Sequence, residues 1–369
     1  PVGDYPDGRT RRCPAGVVRL RRDDERAARA ANPATVLALV SAYPYAVDPA
    51  DLPAVLWTAH GGQAAGAALA GILTGDVSPA GRLPQTWYAR DDDLPDLLDY
   101  DVIGGRQTYL YFEGTPLFPF GHGLSYASFA YTDLRVTSGP DAVRVSFTVT
   151  NTGAVTADEV AQLYVRAVAP SVPRPRRELA GHRRVRLDPG ASAGLSFELP
   201  LPVFEFWDVA HGRWRLEPGT YEILAGASSE DVRLRARVGL DGEPAGPRPV
   251  RERGLEAADF DEHRGTRIVD ATRTAGDAVT PLDDGPGELV YRACDFGTGV
   301  TGVTAEVAGE GVVEISLDDG PALASLTLRP TKGPYDYTTV DAAFHATGVH
   351  DVHVTLRGPL RLARVGFGG

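Results

Sequence analysis

A handful of residues in this sequence have the type and spacing that chemistry requires. His60 precedes Gly61-Gly62-Gln63 at an expected strand-to-helix turn, where the backbone N–H groups of a helix start can meet a ligand oxygen. We read His60 and Gln63 as packing of that turn. Asp91, Asp92 and Asp93 invite a cation, but three adjacent carboxylates do not converge without a turn partner and are usually solvated. Trp207 and Trp214, in FEFWD and GRWRL, could offer flat faces to a sugar, yet the alternation around them favours core or edge packing. Cys13 and Cys294 are the only cysteines, too few and too distant in sequence for a disulfide framework or a thiolate metal cluster.

These residues need elements to hold them, and composition bounds what the elements are. With 369 residues and 39.2 kDa, the chain is expected to hold two to three domains. Hydrophobic residues make up 43% and charged residues 23%, which is ordinary globular usage and excludes wholesale disorder. The 42 Gly and 29 Pro favour many turns and short strands. A formal charge of -12 argues against a nucleic-acid partner, since phosphate binding needs a concentrated basic face. No apolar run approaches the roughly 20 residues of a membrane span, and no charged-then-apolar leader opens the chain, so no membrane partner is expected. Met is absent even at position 1, which suggests a fragment or a processed chain. Lys332 is the only lysine, a bias we read as codon composition.

From Glu25 the pattern alternates between α and β: an Ala-rich helix to Asn32, a strand over 35–40, a strand over 54–57 and an Ala-rich helix over 63–73. After Gly81 comes a long irregular loop with an aromatic cluster of Tyr109, Tyr111, Phe112, Phe118 and Phe120, and loops of this length are usually functional or wrap a neighbour. From Tyr131 the period becomes two, over 143–149, 160–168, 184–187, 195–199 and 221–225, with turns at Asn151-Thr152-Gly153, Asp188-Pro189-Gly190 and Glu217-Pro218-Gly219. This is the grammar of a β-sandwich. Residues 241–253, rich in Pro, Gly and charge, read as a linker, and strands at 288–292, 303–307, 312–317, 338–343 and 352–356 predict a second sandwich, a jelly roll.

The run WTAHGGQAAGAALAGILTGDVSPAGRLPQTWY, then LPDLLDYD and TYLYFEGTPLFPFGHGLSYASF, resembles the end of the C-terminal α/β sandwich of glycoside hydrolase family 3. The segments VTNTGAVTADEVAQLYV, RPRRELAGHRRVRLDPG and FEFWDVAHGRWRLEPGTYEILAGASSEDVRL resemble the fibronectin type III-like domain that follows in many such enzymes. The tail, with LEAADFDEHRGTRIVD, VYRACDFG and GVHDVHVTLRGPLRLARVGF, resembles a family 6 carbohydrate-binding module. The implied organisation is a truncated α/β parallel-sheet domain over 1–129, a fibronectin type III-like β-sandwich over 130–240, a linker over 241–253 and a β-jelly-roll binding module over 254–369.

The resemblance implies the C-terminal part of a retaining β-glycosidase of β-glucosidase or β-xylosidase type, with a carbohydrate as partner. Such an enzyme uses a nucleophile and an acid/base about 5 to 5.5 Å apart. The family carries its nucleophilic Asp in an N-terminal (β/α)8 barrel; about 130 residues precede the first sandwich here, against about 250 for such a barrel. The nucleophile and its barrel are therefore expected to be missing from this chain, leaving it inactive alone. The family's acid/base Glu lies upstream of Ala31-Asn32-Pro33; here no Glu precedes Glu25, and the candidate is Asp4, in Val2-Gly3-Asp4. The arginine-rich block Thr10 to Arg22 departs from the family, as an upstream reading-frame slip would produce.

By the same resemblance, Arg82 and His122 fix the long loop, and Tyr335 and Tyr337 in GPYDYTT are the sugar-stacking aromatics of the module. Its opposing aromatic is replaced near Pro281, and Arg361 stands where the module usually has Asn. Of its calcium ligands Glu256 persists, but Ala258 and Ala363 occupy the other positions, so no metal is expected. No cofactor is expected, and the modular company implies an extracellular location. The alternative is a non-catalytic carbohydrate-binding or scaffold fragment; a third reading is a degenerate product of a frameshifted gene.

Overall fold

The computed structural model describes residues 22–44, 52–96 and 99–369; Asp4, Cys13 and residues 10–21 of the arginine-rich block lie outside them. The described residues form two compact units. The first draws on residues up to 96, then 102–204 and 218–241; the second on 99–101, 205–217 and 242–369.

The first unit opens with helix α1 (Arg22–Ala31), strand β1 (Val36–Val40), strand β2 (Ala54–Thr58) and helix α2 (Ala65–Thr74). The Asn32 carboxamide accepts from the Ala34 N–H at 2.9 Å, and the Thr35 hydroxyl donates to the Asn32 carbonyl at 2.6 Å. These local bonds stop the helix and launch the strand. β1 and β2 pair in parallel, Val36 against Ala54 through Val40 against Thr58, so the expected parallel α/β grammar is present as a two-stranded sheet. Its core is thin, for within β1 only Leu39 is buried and α2 buries no residue at all.

A single-turn helix α3 (Thr108–Tyr111) lies within the long loop, which then enters an antiparallel sandwich. One sheet holds β3 (Phe129–Ser138), β4 (Ala142–Asn151) and β7 (Ser192–Pro200) in the order β3-β4-β7. The other holds β5 (Ala157–Val168), β6 (Glu178–Leu187), β10 (Gly219–Gly226) and β11 (Val232–Leu240) in the order β11-β10-β5-β6. Period-two alternation puts Val143, Val145, Phe147 and Val149 of β4 inside. The rings of Tyr131, Phe147 and Phe197, one from each strand of the first sheet, stack in series with centroids 5.8 Å apart.

Strands β8 (Phe206–Asp208) and β9 (Arg213–Arg215) form a hairpin that belongs to the second unit. Here the expectation of packed tryptophans fails: Trp207 is 50% and Trp214 63% exposed, and they meet only edge to face across the hairpin at 5.8 Å. The inner positions go instead to Asp208 and Arg215, a buried ion pair at 2.6 Å, and alternation then turns both tryptophans outward.

The second unit continues through helix α4 (Val250–Arg253) and strands β12 (Leu255–Glu256), β13 (Glu262–Arg264), β14 (Thr266–Asp270), β15 (Asp277–Pro281) and β16 (Gly287–Asp295). It ends with β17 (Val300–Gly309), β18 (Gly311–Leu317), β19 (Ala322–Leu328), β20 (Thr338–Ala346), β21 (Val349–Arg357) and β22 (Leu360–Gly368). One sheet runs β14-β15-β22-β17-β20 with β12 added beside β22; the other runs β13-β16-β21-β18-β19. Their core contains Leu289, Ile315, Val354, Leu362 and a trio of rings, Phe296, Phe344 and Phe367. Part of the stretch expected as linker belongs to this core, because Val250 is fully buried in it and the Arg248 guanidinium, itself buried, pairs with Asp261 at 3.0 Å.

Residues 242–369 should therefore melt cooperatively, while a shorter piece that starts at Gly254 should lose about 2–4 kcal/mol with the missing Val250 and Arg248. Thermal unfolding of the two pieces followed by circular dichroism checks this; equal midpoints would show that 248–253 contributes nothing.

Candidate functional site

The family 3 blocks place Arg82 and His122 on the long loop, and the structure shows what they do. Arg82 donates to a carboxylate oxygen of Glu159 at 2.9 Å, and the Tyr131 hydroxyl donates to the other at 2.7 Å. The Arg82 and Glu159 side chains are 9% and 3% exposed. A carboxylate so far from water is tolerable only with such donors on both oxygens. Gly121 approaches β5 so closely that an added Cβ would lie 2.0 Å from the Gln162 amide oxygen, and Gln162 donates to the Gly121 carbonyl at 3.0 Å. With φ of +80°, Gly121 also occupies a backbone region other residues rarely adopt.

His122 stacks on Phe118 at 5.2 Å, and Phe118 and Trp57 both meet Trp87 edge to face. Beside this aromatic chain lies a cavity of about 690 Å³ lined by β2, α2 and the loop, with Leu56, Leu69, Ile72 and Leu124 among its walls. Among the described residues no carboxylate lines it. The cavity can receive apolar groups, and Arg82 and His122 are the ionisable groups among its described lining residues. His60 and Gln63 are exposed at the turn before α2 and are not among the lining residues, and Asp91, Asp92 and Asp93 form a short helical turn in which Asp93 bonds back to Arg90. Asp4 lies outside the described residues.

The predicted sugar-binding aromatics lie on the loop between β19 and β20. The Gly309 N–H donates to the Thr331 hydroxyl at 2.8 Å and the Gly309 carbonyl accepts from Thr331, which anchors the loop to β17. Gly309 has φ of +101°, and a Cβ there would strike the Pro359 carbonyl at 2.3 Å. Tyr335 is 38% exposed, with the Arg361 guanidinium 4.9 Å and the Arg273 guanidinium 5.8 Å from its ring centroid. The Tyr337 ring is half-buried; its hydroxyl oxygen is shielded from solvent and has no hydrogen-bond partner, and burial raises its pKa above the usual phenol value. The structure thus brings Tyr335 and Tyr337 together with Arg361 of β22 and Arg273 of the turn between β14 and β15. The sequence pointed to Arg361 only as a departure from the family pattern, and nothing local marked Arg273.

Of the positions expected of a calcium site, Glu256 and Ala363 lie on adjoining backbone, since the Ala257 N–H bonds to the Ala363 carbonyl at 2.8 Å and Glu256 lies opposite Arg364. They do not fit the ion: Glu256 pairs with Arg364 at 3.1 Å, and the alanines supply no side-chain oxygen where calcium takes six to eight oxygen ligands.

Replacing Arg82 with Ala leaves Glu159 buried with one donor and should cost about 3–5 kcal/mol; a lowered urea midpoint checks it, and Glu159→Gln in the same background should recover part of the loss. A second outcome concerns pH. Burial, with Arg82 nearby, holds the His122 pKa below its ordinary value of 6.5. The unfolded chain therefore takes up the proton first, and the stability that His122 contributes above pH 6.5 is lost as the pH falls toward its folded value. Melting curves between pH 7.5 and 5.5 should show a smaller acid shift for His122→Gln than for the parent chain.

Residues 24–126 match the glycosyl hydrolase family 3 C-terminal domain, 159–229 the fibronectin type III-like domain and 256–368 the family 6 carbohydrate binding module. The chain is 37% identical over 193 residues to thermostable beta-glucosidase B of Acetivibrio thermocellus, covering 48% of this chain and 26% of that protein. It is 39% identical over 184 residues to a xylan 1,4-beta-xylosidase of Xylanibacter ruminicola, covering 49% and 21%. The chain thus spans about a quarter of the length of these curated relatives. A family 3 beta-glucosidase of Bifidobacterium adolescentis superposes with a TM-score of 0.57 at 34% identity, over 60% of this chain and 35% of that one. In order along the sequence, this chain carries a glycosyl hydrolase family 3 C-terminal domain, a fibronectin type III-like domain and a family 6 carbohydrate-binding module.

Proposed function

We propose that this chain works as the C-terminal portion of a retaining β-glycosidase of β-glucosidase or β-xylosidase type. The observation that carries this reading is the buried Arg82–Glu159 pair, which fastens the family 3 loop to β5 of the following sandwich and so keeps that loop in a fixed shape. A fixed loop is what an active-site wall requires. The nucleophile would come from a (β/α)8 barrel outside these residues, and the chain by itself would not hydrolyse glycosides. The binding module would hold β-linked oligo- or polysaccharide near the reaction, in an extracellular setting.

The test is hydrolysis of p-nitrophenyl β-glucoside and β-xyloside by this chain alone and mixed with a separately expressed family 3 barrel. Activity in the mixture only is the expected result; none in either case removes the enzymatic reading. Activity in the mixture that survives Asp4→Asn excludes Asp4 as acid/base. The exposed Tyr335 loop favours a second reading, a non-catalytic carbohydrate-binding role. Retention on insoluble xylan, glucan or arabinan without activity in the mixture would favour it.

A further inference from the structure

The Tyr335 site has a charge that a neutral sugar does not need. Arg361 opens β22, Arg273 sits in the turn between β14 and β15, and Tyr335 and Tyr337 come from the loop before β20. Both guanidiniums approach the Tyr335 ring, Arg361 at 4.9 Å and Arg273 at 5.8 Å. Arg361 spends one N–H on the Asp270 carbonyl at 2.9 Å, and among the described residues neither arginine forms an ion pair. Glu306 is the acid within electrostatic reach of Tyr337, yet it makes no ion pair with either arginine. A guanidinium has five donors in a planar fork, so several remain unspent at each arginine.

Two consequences follow for a ligand. A sugar that laid its C–H face on the side of Tyr335 covered by Arg361 would first have to displace the cation, giving up an attraction of about 0.5–1 kcal/mol at such an exposed site. A ligand with a carboxylate would instead gain paired N–H···O contacts from the same guanidinium, which are stronger than neutral hydrogen bonds. The net charge of -12 does not oppose this at close range, because charges farther than about 8 Å are largely screened at physiological salt.

We propose that the Tyr335 site selects carboxylate-bearing sugar residues, the uronic acids, within a polysaccharide over their neutral counterparts. This rests on the carbohydrate-binding reading above and narrows its ligand to an acidic class. Tyr335 supplies the apolar face, and Arg361 and Arg273 hold the carboxylate.

The experiment is affinity electrophoresis of the full chain in gels containing β-1,4-linked polyglucuronate, its fully methyl-esterified form, or xylan free of uronic acid. Retardation by the polyglucuronate about tenfold stronger than by the ester is expected, weakening with added salt. Arg361→Gln and Arg273→Gln should each remove most of the difference between acid and ester, whereas Tyr335→Ala should weaken retardation by both. Arg186→Gln, on β6 of the other unit, serves as control; a loss there equal to that of Arg361→Gln would mark unspecific attraction and overturn the proposal. Equal binding of acid, ester and xylan would overturn the acidic preference while leaving carbohydrate binding intact. Binding to none of the three would remove the carbohydrate-binding reading itself.

Discussion

The Glu159 carboxylate is the constraint on which the first unit turns. It sits on β5, out of contact with water, and is held by Arg82 and the Tyr131 hydroxyl. Removing a carboxylate from water costs several kcal/mol unless partners on both oxygens replace the lost hydration. Those partners come from distant parts of the chain: Arg82 from the loop before the sandwich and Tyr131 from its first strand. A loop that shifted would strand the charge, so the loop cannot shift without cost. Gln162, three residues along β5, extends the same logic by bonding the Gly121 and Ala227 carbonyls while accepting from the Tyr164 hydroxyl. One strand thereby fixes both ends of the 82–122 loop.

The second unit meets a different requirement. Its two sheets bury a continuous apolar core, so its stability does not depend on what its loops display. Loops on such a scaffold are free to vary in chemistry. That freedom is visible at two places. Where a calcium site would need oxygens there are alanines and an ion pair, and around Tyr335 there are two arginines that form no ion pair among the described residues. The fold carries both changes without disturbance, since Arg361 still holds its β22 register opposite Ala308.

Sequence reasoning did well where local pattern and tertiary environment agree. The helices and parallel strands of residues 22–74, β4, β5, β6, β7 and β10 of the first sandwich and β16, β17, β18, β20 and β21 of the second followed from periodicity and turn residues, whereas β11, β12 to β15, β19 and β22 were not read from the sequence. It misread Trp207 and Trp214 because hydrophobicity ordinarily wins the inner position of a strand, and here the Asp208–Arg215 pair took it. It read residues 241–253 as linker from their Pro, Gly and charge content, though one valine and one arginine in that stretch are buried.

By itself, then, the sequence determined the strongly periodic elements and the family blocks, because backbone propensity and hydrophobic period act over neighbouring residues. It also placed Arg82, His122, Tyr335 and Tyr337 among the residues to watch. What each of them does was decided by tertiary structure. Whether a charge is buried and paired, whether a ring faces solvent and which cation lies over it all depend on partners tens of residues away. Arg82 meets Glu159 across 77 positions and Arg361 meets Tyr335 across the turn of a different strand pair, separations over which no local pattern in the sequence carries information.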